Sequence, residues 1–106
     1  MKRLLAEMRK TVENELLRAQ TGHGTHYHSP HEGYGVLTEE LFEAKQEVER
    51  LTNAAGVLLY DLHENNQQAM YDCLGIIEEY ATLAACEYAQ VAAVARKMRE
   101  GLEVKP

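Results

Sequence analysis

At 106 residues, with 45% hydrophobic and 26% charged residues, the chain has the size and composition of one small globular domain. A formal charge of −6 excludes general nucleic-acid binding through the phosphate backbone, and no apolar run is long and clean enough to span a bilayer. With no Trp and one Phe, the core must be built by Leu, Val and Ala packing helix on helix, and so small a core gains from self-association.

The first predicted helix covers about residues 2–20. Leu4, Leu5, Met8, Val12, Leu16 and Ala19 recur at three- and four-residue spacing, with Arg9, Lys10, Glu13 and Asn14 between them. Gly22 and Gly24 are expected to stop it. Met1-Lys2-Arg3 leads into a segment that turns charged again at Glu7, which does not resemble a secretory leader. Cys73 and Cys86 lie too far apart on one helix, ~20 Å, to pair within it. They read as small core residues in a reducing, cytoplasmic setting.

A loop from Thr21 to Ser29 holds His23, His26 and His28, and His31 follows directly. The spacing of His26, His28 and His31 can serve a transition metal. No second Cys/His cluster supports that use, and polar loop residues are the simpler reading. Ser29-Pro30-His31-Glu32 is a helix start: an N-cap, a proline suited to the first position, and the glutamate of a capping box. Gly33 and Gly35 weaken the first turn but permit close approach of another backbone or a ligand.

From there one long helix is predicted to about residue 63. Leu37, Leu41, Ala44, Val48, Leu51, Ala55, Leu58 and Leu62 alternate in steps of four and three, a heptad-type seam that points to an oligomer. Residues 36–66 carry seven acids against two bases. Among them Glu40, Glu43 and Glu47 share one flank, while Glu39 points elsewhere. Like charges at these spacings repel, so the flank is either a solvated acidic face or half of a divalent-cation site.

A third helix is predicted over about residues 67–100, after Glu64-Asn65-Asn66. Its centre, from Leu74 to Ala95, is apolar almost all round and reads as buried. Thr82 can bond its own backbone. Glu87 is costly to bury alone, so it must pair with a base, bind a metal or take a proton. Gln90 lies one turn on, on nearly the same face. Lys97 and Arg99 suit a helix C-terminus, Gly101 a stop, and the tail to Pro106 is expected to be loose.

Two half-sites therefore match: Glu40-x-x-Glu43 on one helix and Glu87-x-x-Gln90 on another. Facing each other, such pairs can place four oxygen ligands around one or two Mg²⁺ ions. In these motifs the chain resembles the MazG-like all-α nucleoside triphosphate pyrophosphohydrolases, which carry E-E-x-x-E on one helix and E-x-x-D on a later one. Here the first is Glu39-Glu40-Leu41-Phe42-Glu43 and the second Glu87-Tyr88-Ala89-Gln90. The segment His28–Tyr34 and the run Gln90–Ala93 are similar to short phage-associated relatives. The resemblance covers roughly residues 28–98. It departs from the pattern in Gln90, which stands where the family has Asp, and in the 43 residues between Glu43 and Glu87.

The periodicity predicts an all-α bundle of three helices, and the seam and small core predict its completion as a homodimer or homotetramer. The resemblance implies hydrolysis of a nucleoside triphosphate to a monophosphate and pyrophosphate. Mg²⁺, or Mn²⁺ in its place, would be held by Glu40, Glu43, Glu87 and Gln90. Glu43 or Glu47 would take the proton of the attacking water, and Lys45, Arg96 or Lys97 would face the phosphates. His31 would touch a phosphate or base. Tyr34 would stack on a base or fill core, and core is the simpler expectation. The alternative is a non-catalytic assembly protein of the same ancestry, with Glu87 and Gln90 in a structural polar network.

Overall fold

A computed structural model describes residues 1–24, 26–102 and 104, with His23 described through its backbone only. The tail expected to be loose falls partly on Glu103, Lys105 and Pro106, outside the described residues. The chain is all-α, as the periodicity predicts: α1 (Lys2–His23), α2 (Pro30–His63) and α3 (Gln67–Gly101). No strand occurs among the described residues.

Helix α1 runs one turn further than predicted, through Gly22. It ends where Gly24 takes φ 86°, a conformation that costs glycine nothing. Helix α2 begins as the sequence signals. Ser29 Oγ accepts the Glu32 backbone N–H at 3.2 Å, and the Ser29 carbonyl accepts that of Gly33 at 3.2 Å. The Glu32 side chain does not return the bond of a full capping box.

Between α2 and α3 the chain turns within three residues. Asn65 adopts φ 50°, the Asn66 N–H reaches back to the Asp61 carbonyl at 3.1 Å, and the Asn65 N–H to Leu62 at 3.2 Å. This pairing is a Schellman motif, with Asn as the tolerated non-glycine residue. Asn66 then caps α3, its Oδ1 accepting the Ala69 N–H at 3.0 Å. Asn66→Ala should therefore cost about 1 kcal/mol, read as a lower midpoint in urea or thermal unfolding.

Two compact units share these helices. One comprises Met1–Leu41 with Glu87–Pro106, and the other Phe42–Cys86. In the first, Leu16, Ala89, Ala93 and Lys97 are buried. The predicted stripe of α1 is covered only from Met8 onward, and Leu4 and Leu5 are exposed.

The second unit is a two-helix hairpin. Its buried positions are Ala44, Ala54, Asp61, Cys73 and Ala84, and the Cys73 thiol donates to the Ala54 carbonyl at 3.2 Å. On α2 the covered face steps through Ala44, Glu47, Leu51, Ala54, Leu58 and Asp61. This is a register offset from the predicted seam, whose Ala55 and Leu62 are exposed.

The centre of α3, expected to be buried, is largely exposed: Leu74 is 51% accessible, Ile76 48% and Leu83 40%. Cys86, expected in the core, is exposed too. The physical reason is shared. In a hairpin each helix has one neighbour, which covers one strip of small residues and leaves the other faces open. No helix among the described residues is long and apolar enough to cross a membrane.

Candidate metal centre

Helix α2 carries Glu40 and, one turn on, Glu43; helix α3 carries Glu87. One carboxylate oxygen from each lies within 4.8 Å of the other two. Glu40 and Glu87 are half-buried and Glu43 is exposed. Glu39 points to solvent, as its position on the helix requires.

Gln90, one turn beyond Glu87, joins the group. With its NH₂ turned inward, the amide nitrogen lies 3.0 Å from Glu40 Oε2 and 3.3 Å from Glu87 Oε2. With its oxygen turned inward, the same side chains form an all-oxygen cluster, the donor set that hard divalent cations take. The amide can thus serve either state by rotating about one bond.

Glu47 continues this flank of α2. Its Oε1 accepts the Arg50 guanidinium at 2.7 Å, while its Oε2 is buried with no hydrogen-bond partner among the described residues. A buried carboxylate oxygen without a donor is costly, and a donor or cation reaching Glu47 would offset that cost.

A cavity of about 540 Å³ opens in the first unit beside this cluster, and Glu40 and Gln90 are part of its wall. Val36, Ala93 and Val94 give it an apolar side. Its polar side holds Glu15, Arg18, Tyr27, Glu32 and Lys97. Arg18 is engaged by Glu15 at 3.5 Å. Lys97 is only 3% exposed, and its ammonium sits 4.3 Å from the centre of the Tyr27 ring, a cation–π contact. Burial, and after it the charges of Glu40 and Glu32, push the Tyr27 phenol above its usual range, so it stays an O–H donor.

Gly33 makes this corner possible. A Cβ there would lie 2.7 Å from Met98 Cγ and 3.0 Å from Tyr27 Cδ2. Gly33→Ala gains about 1 kcal/mol of helix propensity but overpacks by about 1–3 kcal/mol. The expected net result is a lower unfolding midpoint with an altered near-ultraviolet tyrosine signal.

The structure thus gathers Glu40, Glu43, Glu87 and Gln90. Of the residues expected to meet substrate, it brings only Lys97 to the adjoining cavity and not His31, Tyr34, Lys45 or Arg96. Tyr34 is 64% exposed rather than in the core. His31 and Lys45 are exposed, and Arg96 is held by Glu100 at 3.1 Å on an outer face. None of the four lines the cavity. Its polar wall is supplied by the expected Lys97 together with Tyr27, Glu32 and residues of α1. Spacing sets Lys97 apart from the other two expected cations, Lys45 and Arg96: Glu87, Gln90, Val94 and Lys97 step by three, four and three along one face of α3. Tyr27, in an irregular loop, had no periodic signal. His26, His28 and His31 are exposed, and the glutamate trio is the one group of three metal-binding side chains among the described residues. The side chain of His23 lies outside them.

Comparison of the chain with protein-family models, with characterised proteins and with solved structures finds no match.

Proposed function

We propose that this protein is a Mg²⁺-dependent nucleoside triphosphate pyrophosphohydrolase. The observation that supports this best is the meeting of Glu40, Glu43 and Glu87, the first of which, with Gln90, lines a cavity that also presents a buried cation and an aromatic ring. The residues fit a hard divalent ion: three carboxylates and an amide whose oxygen can turn inward. When bound, Mg²⁺ or Mn²⁺ would offset phosphate charge and acidify a water. Glu40, Glu87 and Gln90 act as ligands in this reading. Glu43, the exposed member, or Glu47, with its free oxygen, accepts the proton of that water. The cavity holds the nucleotide, and its apolar side excludes solvent from one face.

The test is release of pyrophosphate from a panel of ribo- and deoxynucleoside triphosphates with Mg²⁺. Stoichiometric pyrophosphate and monophosphate are expected; orthophosphate instead, or no product, would remove the reading. A homodimer or homotetramer is proposed with it, since the exposed apolar faces of the hairpin call for cover.

One observation favours a second reading. The Gln90 NH₂ can bridge Glu40 and Glu87 without a cation, which suits an assembly protein with a structural polar network. A Gln90→Asp variant that releases no pyrophosphate, from a parent that also releases none, is the outcome this reading expects.

A further inference from the structure

Among the described residues, Lys97 is the one cation of the cavity that no carboxylate engages. Arg18 is held by Glu15, whereas among the described residues Lys97 forms no ion pair and its contact is the face of Tyr27. Burying an ammonium costs desolvation that a single aromatic face offsets only in part. An anion entering the cavity would supply the rest. We propose that Lys97, held in place by Tyr27, is the binding residue for the polyphosphate of the ligand, and that it receives the phosphate remote from the acidic cluster. This rests on the reading of Glu40, Glu43 and Glu87 as a cation site, because Glu32 and Glu40 in the same wall repel a bare anion.

The placement supports the assignment. Gln90 and Lys97 share a face of α3 two turns apart, roughly 10 Å along the axis, and both reach the same cavity. A chain of two or three phosphates anchored at the cluster extends along that face toward the ammonium. Tyr27 already holds the ammonium over its ring, so little side-chain freedom is lost when an anion arrives. Arg96, the neighbouring cation, is committed to Glu100 on the outer face and cannot substitute.

The probe is inorganic pyrophosphate with Mg²⁺, its binding measured by calorimetry on the parent, Lys97→Met and Lys97→Arg. Methionine keeps the apolar stem and removes the charge. A loss of at least tenfold in pyrophosphate affinity is expected for Lys97→Met, with affinity for Mg²⁺ alone unchanged and the unfolding midpoint not lowered. Lys97→Arg should retain most of the binding. Unchanged pyrophosphate affinity in Lys97→Met overturns the proposal, as does a parent that binds no pyrophosphate. A Lys97→Met protein that unfolds earlier yet binds pyrophosphate normally assigns Lys97 a structural role. The outcomes also separate the two readings. Pyrophosphate binding that depends on Lys97 without triphosphate hydrolysis leaves this inference standing and removes the activity. Hydrolysis with a KM indifferent to Lys97 does the reverse.

Discussion

Glu87→Gln is expected to raise the unfolding midpoint of the metal-free protein, to abolish the further rise that Mg²⁺ gives the parent, and to lower turnover at least 100-fold. The sign of the first effect carries the argument. Three carboxylates with oxygens inside 4.8 Å of one another repel without a cation. A unit-charge pair at 4 Å costs about 1 kcal/mol in water and about 4 kcal/mol at an effective dielectric of 20. Glu43 is exposed and Glu40 and Glu87 are half-buried, so the lower end applies, and neutralising Glu87 should relieve about 1 kcal/mol. In a domain of this size that is about 4–8 °C. In the proposed metal-dependent reading the parent recovers the cost when an ion binds, by about 2.7 kcal/mol at a hundredfold excess over the dissociation constant.

A structural network gives the opposite sign. If the inward Gln90 amide is the purpose of the cluster, Glu87→Gln turns a charge-assisted hydrogen bond into a neutral one about half as strong. The metal-free midpoint would then fall, and Mg²⁺ would shift neither protein. Gln90→Asp is the complementary change. A fourth carboxylate should lower the metal-free midpoint and tighten Mg²⁺. Thermal scans of the three proteins with EDTA and with Mg²⁺ decide between these accounts.

The helices were legible because their signals are local. Ser29 and Pro30 start α2, and Asn65 and Asn66 turn it into α3. The acidic cluster was legible for a similar reason: spacing places Glu40 with Glu43, and Glu87 with Gln90, whatever surrounds them. Two things were not legible, and both depend on neighbours. Tyr27 meets Lys97 because a loop without periodicity folds over Gly33, and no spacing rule reports that. The extent of burial was overestimated. An all-round apolar helix says that cover is needed, not that this chain supplies it, so Leu74, Ile76 and Leu83 were expected in a core they do not reach.

That unmet need leads to the second large effect. Light scattering is expected to give the parent a mass of two or four times 12.0 kDa, and Leu59→Glu combined with Leu74→Glu to return it to 12.0 kDa. A folded monomer of this mass exposes about 6,000 Å² by the usual scaling, whereas this chain exposes 8268 Å². The surplus, roughly 2,000 Å², exceeds the ~800 Å² that each partner gives to a standard interface. Much of the apolar part lies on the hairpin: Val57, Leu59, Tyr60 and Leu62 on α2, and Tyr71, Leu74, Ile76 and Leu83 on α3, are all at least 40% exposed. Burying a leucine contributes about 1.5–3 kcal/mol, and a carboxylate in its place must be desolvated as well. Two such changes on each copy should weaken association by several orders of magnitude. Helicity should fall with it, since a 45-residue hairpin with a core of Ala44, Ala54, Cys73 and Ala84 buries little apolar surface of its own. A parent that stays at 12.0 kDa at micromolar concentration would show that these faces need no second copy.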